Sequence, residues 1–154
     1  MFGLTPTVRE LTEFPACCGG TSEASVLRMG SDAFVAYDLP RNQGDKVALV
    51  RCGGCMEAYT NGPNDEARSR HPCYKFGLGY GTVLEVLKSP WIPELSARHD
   101  MFGKRDRFKD RRHFIFSLKE DTIDVAARDI ALVGIYDSHA DAMAAAVLVV
   151  SQES

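Results

Sequence analysis

The last third of the chain constrains its fold more than any other part. Three strand-like segments follow one another through short turns, and a helical segment comes after them. Such a succession favours antiparallel pairing, and it lacks the strand–helix–strand rhythm of a doubly wound fold. The segments are the strands His113–Leu118, Thr122–Ala127 and Ile130–Tyr136, and a helix that Asp137 or Ser138 caps and that runs to about Val149.

The residues on either side of Gly30-Ser31 have two interpretations. Ser25–Met29 and Ala33–Tyr37 would form a hairpin, because glycine at the first position of a two-residue loop suits a type II′ turn. Alternatively, Ser22–Met29 would form a helix that ends at Gly30. The sequence favours neither interpretation clearly over the other.

The remaining elements complete the prediction of an α+β fold. Further strands are expected at Lys46–Cys52, Cys55–Thr60 and Thr82–Leu87. Further helices are expected at Thr5–Pro15, Asn64–His71 and Pro90–His99, the last of them capped by Ser89-Pro90. At 154 residues and 17.0 kDa the chain suits one domain with its own core. We therefore expect a single α+β domain with a largely antiparallel sheet of about six strands and three or four helices.

The composition of the chain argues against several classes of function. The net charge of −3 gives the molecule as a whole no attraction to nucleic acid or to an anionic membrane. The N-terminus lacks the basic and apolar regions of a secretory signal, and the longest apolar run, Ala142–Val150, is half the length of a membrane span. Five cysteines, including the adjacent Cys17 and Cys18, indicate reduced thiols and a cytoplasmic protein.

One segment departs from the overall acidity. Residues 104–112 carry six cations against two carboxylates, with phenylalanines on both sides. Cations interleaved with aromatic rings are typical of single-strand nucleic-acid surfaces. The two aspartates interrupt this segment, and no nucleic-acid-binding motif accompanies it, so nucleic-acid binding is the second alternative and a solvated connection the preferred interpretation.

Groups that ligate metals are concentrated between Arg51 and Tyr74. Cys52 and Cys55 have the spacing of half a zinc ribbon, and the other half would come from His71 and Cys73. One intervening residue points His71 and Cys73 to opposite sides of an extended segment, which opposes joint chelation. The alternatives are buried cysteines, a redox pair, or Cys73 as a nucleophile with a histidine base.

The acidic triplet next to this cluster has a structural and a functional interpretation. Asn64 suits the N-cap of a short helix, and Asp65 and Glu66 lie at the positive end of its dipole. In the functional interpretation, Asp65, Glu66 and His71 face a cleft as acid, base or ligands. The helix explains all of these residues without any chemistry and is the preferred interpretation.

Two stretches resemble a group of uncharacterised bacterial accessory proteins, some of them on mobile elements. The similar features are an Asn-Asp-Glu-Ala…His-Pro stretch, a Glu-Val…Ser-x-Trp segment and a His-Phe-Ile…Asp hairpin, which together span residues 64–127. No activity comes with the resemblance. It directs attention to a shared polar surface made of Asn64, Asp65, Glu66, His71, Trp91 and His113.

We therefore expect a binding module that catalyses no reaction and needs no cofactor, with a small molecule or a protein as its ligand. The predicted ligand-binding residues are Asn64, Asp65, Glu66, His71, Tyr80, Trp91 and His113. Polar groups beside aromatic rings suit a pocket with a few orienting contacts. The alternative is a zinc-binding or cysteine-dependent enzyme that uses Cys52, Cys55, His71 and Cys73. The apolar end of the last helix, Val147–Val150, would support a homodimer.

Overall fold

The chain forms two antiparallel sheets that face each other, and an α-helix packs on the outer face of each. The computed structural model describes residues 5–17, 24–60, 62, 68–99, 109–120 and 122–153. In these ranges the strands are β1 Thr7–Glu10, β2 Ala24–Met29, β3 Asp32–Asp38, β4 Val47–Gly53, β5 Glu57–Tyr59, β6 Thr82–Leu87, β7 Arg112–Ser117, β8 Thr122–Ala127 and β9 Asp129–Tyr136, and the α-helices are α1 Trp91–His99 and α2 His139–Gln152.

The strands are divided between the sheets by long-range pairing. Sheet 1 has the order β1-β6-β7-β8-β5, and sheet 2 has the order β2-β3-β4-β9. The α+β prediction with antiparallel strands is confirmed, but the single sheet of about six strands is wrong. So is the number of helices, because the described residues form two α-helices and the short 3-10 helices Arg41–Gln43, Arg68–Arg70 and Tyr74–Phe76.

Strand β3 shows how the layers are held together. Val35 and Tyr37 point into the core between the sheets, whereas Phe34 and Ala36 point outward to the core beneath α2. Successive side chains of a strand alternate between its faces, so a strand that is apolar at every position is buried on both. Each face of sheet 2 is therefore covered, by sheet 1 on one side and by α2 on the other.

The helix predicted from Thr5 to Pro15 is wrong. Thr7–Glu10 is the edge strand β1 of sheet 1, and Val8 pairs with Val86 of β6. Arg9 donates to buried Glu85 at 2.6 Å. Short isolated helices are marginal in water, so these sheet contacts override the local capping signals.

Several local predictions are confirmed. Met29 and Asp32 are the last pair of the β2–β3 hairpin, and Gly30 has the positive φ of 60° that the first turn position requires, so the helix ending there is wrong. Ser138 caps α2 by accepting from the Asp141 amide at 3.0 Å. Across the described ranges, no helix has both the length and the apolar character that crossing a bilayer demands.

The predicted apolar end of α2 is partly exposed. Leu148 is 57% exposed and Val147 is 47% exposed. Val149 and Val150 pack instead against the core beneath the helix. The homodimer through this end of α2 stays a prediction.

Candidate functional site

A cavity of about 550 Å3 lies on the outer face of sheet 1, the face turned away from sheet 2. Strands β5, β7 and β8, helix α1 and the segment between residues 70 and 73 all contribute to its lining. The lining residues are Glu57, Tyr59, Gly62, Arg70, His71, Pro72, Cys73, Ser89, Pro90, Trp91, Glu94, Arg98, His113 and Asp124. The site is therefore built by elements that are far apart in the sequence.

Asp124 is the centre of the site. In the β7–β8 ladder Ile115 pairs with Asp124 and His113 pairs with Ala126, so His113 and Asp124 are diagonal neighbours on the outer face. His113 Nε2 lies 2.7 Å from Asp124 Oδ2, and His71 Nε2 lies 2.8 Å from Asp124 Oδ1. All three side chains are buried. One carboxylate thus holds two imidazole rings.

His71 is held by hydrogen bonds at both ring nitrogens. It lies between the 3-10 helices Arg68–Arg70 and Tyr74–Phe76, and its Nδ1 accepts from the Cys73 amide at 3.0 Å. Because Nδ1 is an acceptor, the proton of a neutral His71 is on Nε2 and is donated to Asp124. His71 therefore has no ring nitrogen left for a ligand, and it positions Asp124.

His113 links Asp124 to a serine hydroxyl. Its Nδ1 lies 2.7 Å from Ser89 Oγ, and Ser89 Oγ also accepts from the Trp91 amide at 3.2 Å. With Nε2–H donated to Asp124, Nδ1 is the acceptor and the Ser89 hydroxyl is the donor. The Trp91 ring packs on His113 with their centroids 4.7 Å apart.

A tight turn between β6 and α1 positions Ser89. Strand β6 ends at Leu87, Lys88 has a positive φ of 58°, and α1 begins at Trp91. A positive φ is uncommon for a residue other than glycine, and here it lies in the short turn from β6 into α1. Ser89 Oγ accepts from the Trp91 amide and so caps the first turn of α1, beside His113 near the start of β7, and the predicted cap of this helix is confirmed.

Asp124 is charged despite its burial. Removal from water raises the pKa of Asp124, but the hydrogen bonds that His113 and His71 donate to it outweigh this effect, so the pKa lies below its ordinary value of 3.8. A buried carboxylate that stays ionised orients both imidazoles through its two oxygens. The site is therefore a rigid, polar floor beneath the cavity.

The structure places three of the predicted ligand-binding residues together. His71, Trp91 and His113 all line the cavity. Tyr80 does not line it, although its side chain is 37% exposed. The predicted residues Asn64, Asp65 and Glu66 lie outside the described residues.

Two central residues do not stand out in the sequence, because each has an ordinary structural role there. The sequence predicts Ser89 only as a helix cap, and it is one. Asp124 was one polar residue in a predicted strand, but alternation along β8 puts it on the same face as His113 of the next strand. A lone carboxylate in an otherwise apolar strand was the signal that would have identified it.

The cysteine set proposed for zinc is divided between two cores. Cys52 and Cys55 lie between the two sheets, whereas Cys73 packs on the outer face of sheet 1 near His71. Among the residues that the structure describes, no group of three or more His, Cys, Asp or Glu side chains is placed to hold a metal ion. Burial raises the pKa of Cys73 to about 11, with Asp124 adding to the rise, which disfavours the thiolate a nucleophile needs.

Two described cations of the basic segment, Arg111 and Arg112, bind carboxylates. Arg112 binds both oxygens of Glu85, at 2.7 and 2.8 Å, and its guanidinium lies 4.9 Å from the Phe114 ring centroid. Arg111 donates to its neighbour Asp110. Residues 104–108 lie outside the described ranges. Nucleic-acid binding thus gains no support from Arg111 and Arg112.

The comparisons with known proteins add no relative to this description. No protein-family model, no curated protein and no solved structure matches the chain. The resemblance to bacterial accessory proteins therefore stays a prediction, and the case for function depends on the geometry of the cavity.

Proposed function

We propose that this protein binds a small organic molecule in the cavity above Asp124. One observation carries the proposal: an ionised, buried carboxylate and two buried histidines lie directly beneath a cavity of about 550 Å3. The three side chains are buried and all of them line the cavity, so they form its floor. Cavities of this volume with a few convergent polar groups are the usual form of a small-molecule site.

The lining divides into an apolar wall and a polar floor. Trp91, Tyr59 and Pro72 give the wall ring and methylene surface, and Ser89 contributes a half-buried hydroxyl. At the rim, Arg98 donates to Glu94 at 3.0 Å. The wall favours a ligand with a flat ring, and the hydroxyl favours a ligand that also carries a hydrogen-bonding group.

Trp91 makes the proposal directly testable. It is the only tryptophan of the chain and it lines the cavity, so its emission reports on this site alone. A library of one-ring aromatic and heteroaromatic compounds would be titrated against the protein while Trp91 emission is recorded. We expect saturable changes in emission for compounds that reach the wall.

A matched pair of tyrosines is the control. Tyr59 lines the cavity at 49% exposure, whereas Tyr74 is 45% exposed and does not line it. Tyr59→Ala should weaken binding of the best compound about fivefold, because an aromatic contact contributes about 1 kcal/mol. Tyr74→Ala should leave its affinity unchanged. Equal affinities for both variants, or no saturable compound, would refute the proposed site.

A further inference from the structure

We propose that the cavity is also a hydrolytic site, in which Ser89 attacks the carbonyl carbon of a carboxylic ester with His113 as its base. This inference depends on the proposed binding function, and it replaces the expectation that the protein catalyses no reaction. A nucleophile, a base that contacts it and a carboxylate that orients the base are the components of covalent acyl transfer. Ser89, His113 and Asp124 supply them in that order.

The hydrogen bonds among these residues allow only one assignment of donors and acceptors. Asp124 accepts from His113 Nε2–H, which leaves His113 Nδ1 as an acceptor for the Ser89 hydroxyl. Both links measure 2.7 Å. His71 holds the other oxygen of Asp124, so the carboxylate cannot rotate away from His113. His113 is therefore fixed in the tautomer that removes a proton from Ser89.

The nucleophile is accessible and its base is sheltered. Ser89 is half-buried and lines the cavity, whereas His113 is buried beneath it and covered by Trp91. The Trp91 amide bonds to Ser89 Oγ, and the positive end of the nine-residue helix α1 lies at the same place. Both favour the negative charge that develops when the hydroxyl loses its proton.

The reaction balances with water as the only co-reactant. Ser89 Oγ forms a bond to the carbonyl carbon while its proton passes to His113 Nδ1. The bond from that carbon to the alcohol oxygen breaks, and His113 returns the proton to the departing alcohol. Water then repeats the attack through His113, which releases the carboxylic acid and restores Ser89.

The wall of the cavity indicates the substrate class. Trp91 and Tyr59 form its aromatic surface next to Ser89, so one side of the ester bond would carry a single ring. Arg70 also lines the cavity, and its positive charge favours the oxyanion of the intermediate. We therefore infer a small aryl ester, for which phenyl acetate is the simplest probe.

The molecule contains its own control. Ser25, His139 and Asp38 repeat the same atom pattern, with Ser25 Oγ 2.9 Å from His139 Nδ1 and His139 Nε2 2.9 Å from Asp38 Oδ1. None of these three residues lines the cavity. Substitutions there change an equivalent set of hydrogen bonds without touching the proposed site.

The test is covalent labelling of the folded protein with diisopropyl fluorophosphate. Ser89 Oγ would bond to phosphorus as the phosphorus–fluorine bond breaks and fluoride leaves with the serine proton. We expect one adduct per chain, located at Ser89 by peptide mass spectrometry. His113→Gln should slow labelling at least about 100-fold, the usual contribution of a positioned base. Ser25→Ala and His139→Gln should label at the rate of the unaltered protein.

Two serine variants separate catalysis from folding. Ser89→Ala should abolish the adduct, and so should Ser89→Asn, which retains a good N-cap for α1 but has no nucleophilic oxygen. Circular dichroism and Trp91 emission would establish that each is folded. Both variants should also lose phenyl acetate hydrolysis, which Ser25→Ala should retain in full.

The outcomes distinguish the two proposals. An absent adduct, or one that persists in Ser89→Asn, overturns the hydrolytic inference. If Tyr59-dependent binding of ring compounds is nonetheless observed, the binding function stands without the reaction. If binding and labelling are both absent, both proposals fail.

Discussion

The molecule builds the same serine–histidine–aspartate pattern twice, in very different surroundings. In Ser89–His113–Asp124 the histidine and aspartate side chains are 4% and 11% exposed. In the second set the side chains of His139 and Asp38 are 29% and 31% exposed. Both histidines turn Nδ1 to the serine and Nε2 to the aspartate. The hydrogen-bond pattern alone therefore does not mark a site. The first set differs from the second in the cavity, the burial and the second imidazole ring on its aspartate.

The second set has a sufficient structural role. Ser25 lies in β2, Asp38 ends β3 and His139 is the first residue of α2, so the set fastens the start of this helix to sheet 2. The first set also joins a helix start to a sheet, through Ser89 at α1. It differs because His71, from the segment between two 3-10 helices, also binds Asp124. Joining α1 to sheet 1 does not require this second histidine.

The largest expected difference between the two sets is in stability. Asp124→Ala leaves two buried imidazoles without their acceptor, and breaking a buried charged network costs about 3 kcal/mol. Asp38→Ala breaks a half-exposed contact and should cost about 1 kcal/mol or less. Urea unfolding followed by Trp91 emission and by circular dichroism would measure both. Equal losses would show that burial does not distinguish the sets.

Part of the free energy of unfolding that Asp124 contributes should depend on pH. The pKa of Asp124 is lowered in the folded protein, so near its ordinary value of 3.8 the unfolded chain binds more protons. The stabilisation is complete above that value and is lost as the pH falls through the lower, folded pKa. Unfolding free energies measured between pH 6 and pH 3 (about the range in which carboxylates titrate) should fall less steeply for Asp124→Asn than for the unaltered protein.

A control variant shows whether this dependence of stability on pH comes from Asp124. Glu85 also has a lowered pKa, through Arg112 first and against the opposing effect of burial, so it adds to the acid sensitivity of every variant that retains it. Ser89→Ala retains both carboxylates and should keep the unaltered slope. If the unfolding free energy of Asp124→Asn falls with pH as steeply as that of Ser89→Ala, the acid sensitivity comes from groups other than Asp124.

How much of the structure the sequence predicts depends on how far apart in the chain the contacting residues lie. The cap of α1 and the strands of the last third follow from neighbouring residues, and they are confirmed. At Gly30 the neighbouring residues allow a hairpin turn and a helix end about equally, and the strand pairing in the fold selects the turn. The division into two sheets follows from the pairing of β4 with β9 and of β1 with β6, partners that no local pattern connects. A strand signal says that a segment is extended and does not say which sheet it joins.

The site shows the same limit. His71, Trp91 and His113 were predicted from their chemistry, and the structure brings them to one cavity. Asp124 and Ser89 are chemically just as suitable for a functional site. In the sequence, however, a position in a strand fully explains Asp124 and a helix cap fully explains Ser89. Only the register of β7 against β8 and the turn at Lys88 bring them to His113, and both depend on the folded backbone.

The smallest expected effect compares the two serines. Ser25→Ala removes one hydroxyl from a half-exposed contact and should cost about 0.5 kcal/mol. Ser89→Ala removes the cap of α1 together with the donor to His113, and should cost about 1.5 kcal/mol. Ser89→Asn separates these two contributions because it restores the cap alone. If Ser89→Asn recovers all of the lost stability, the bond from Ser89 to His113 adds nothing to folding, and its short distance is then better explained by the reaction than by the fold.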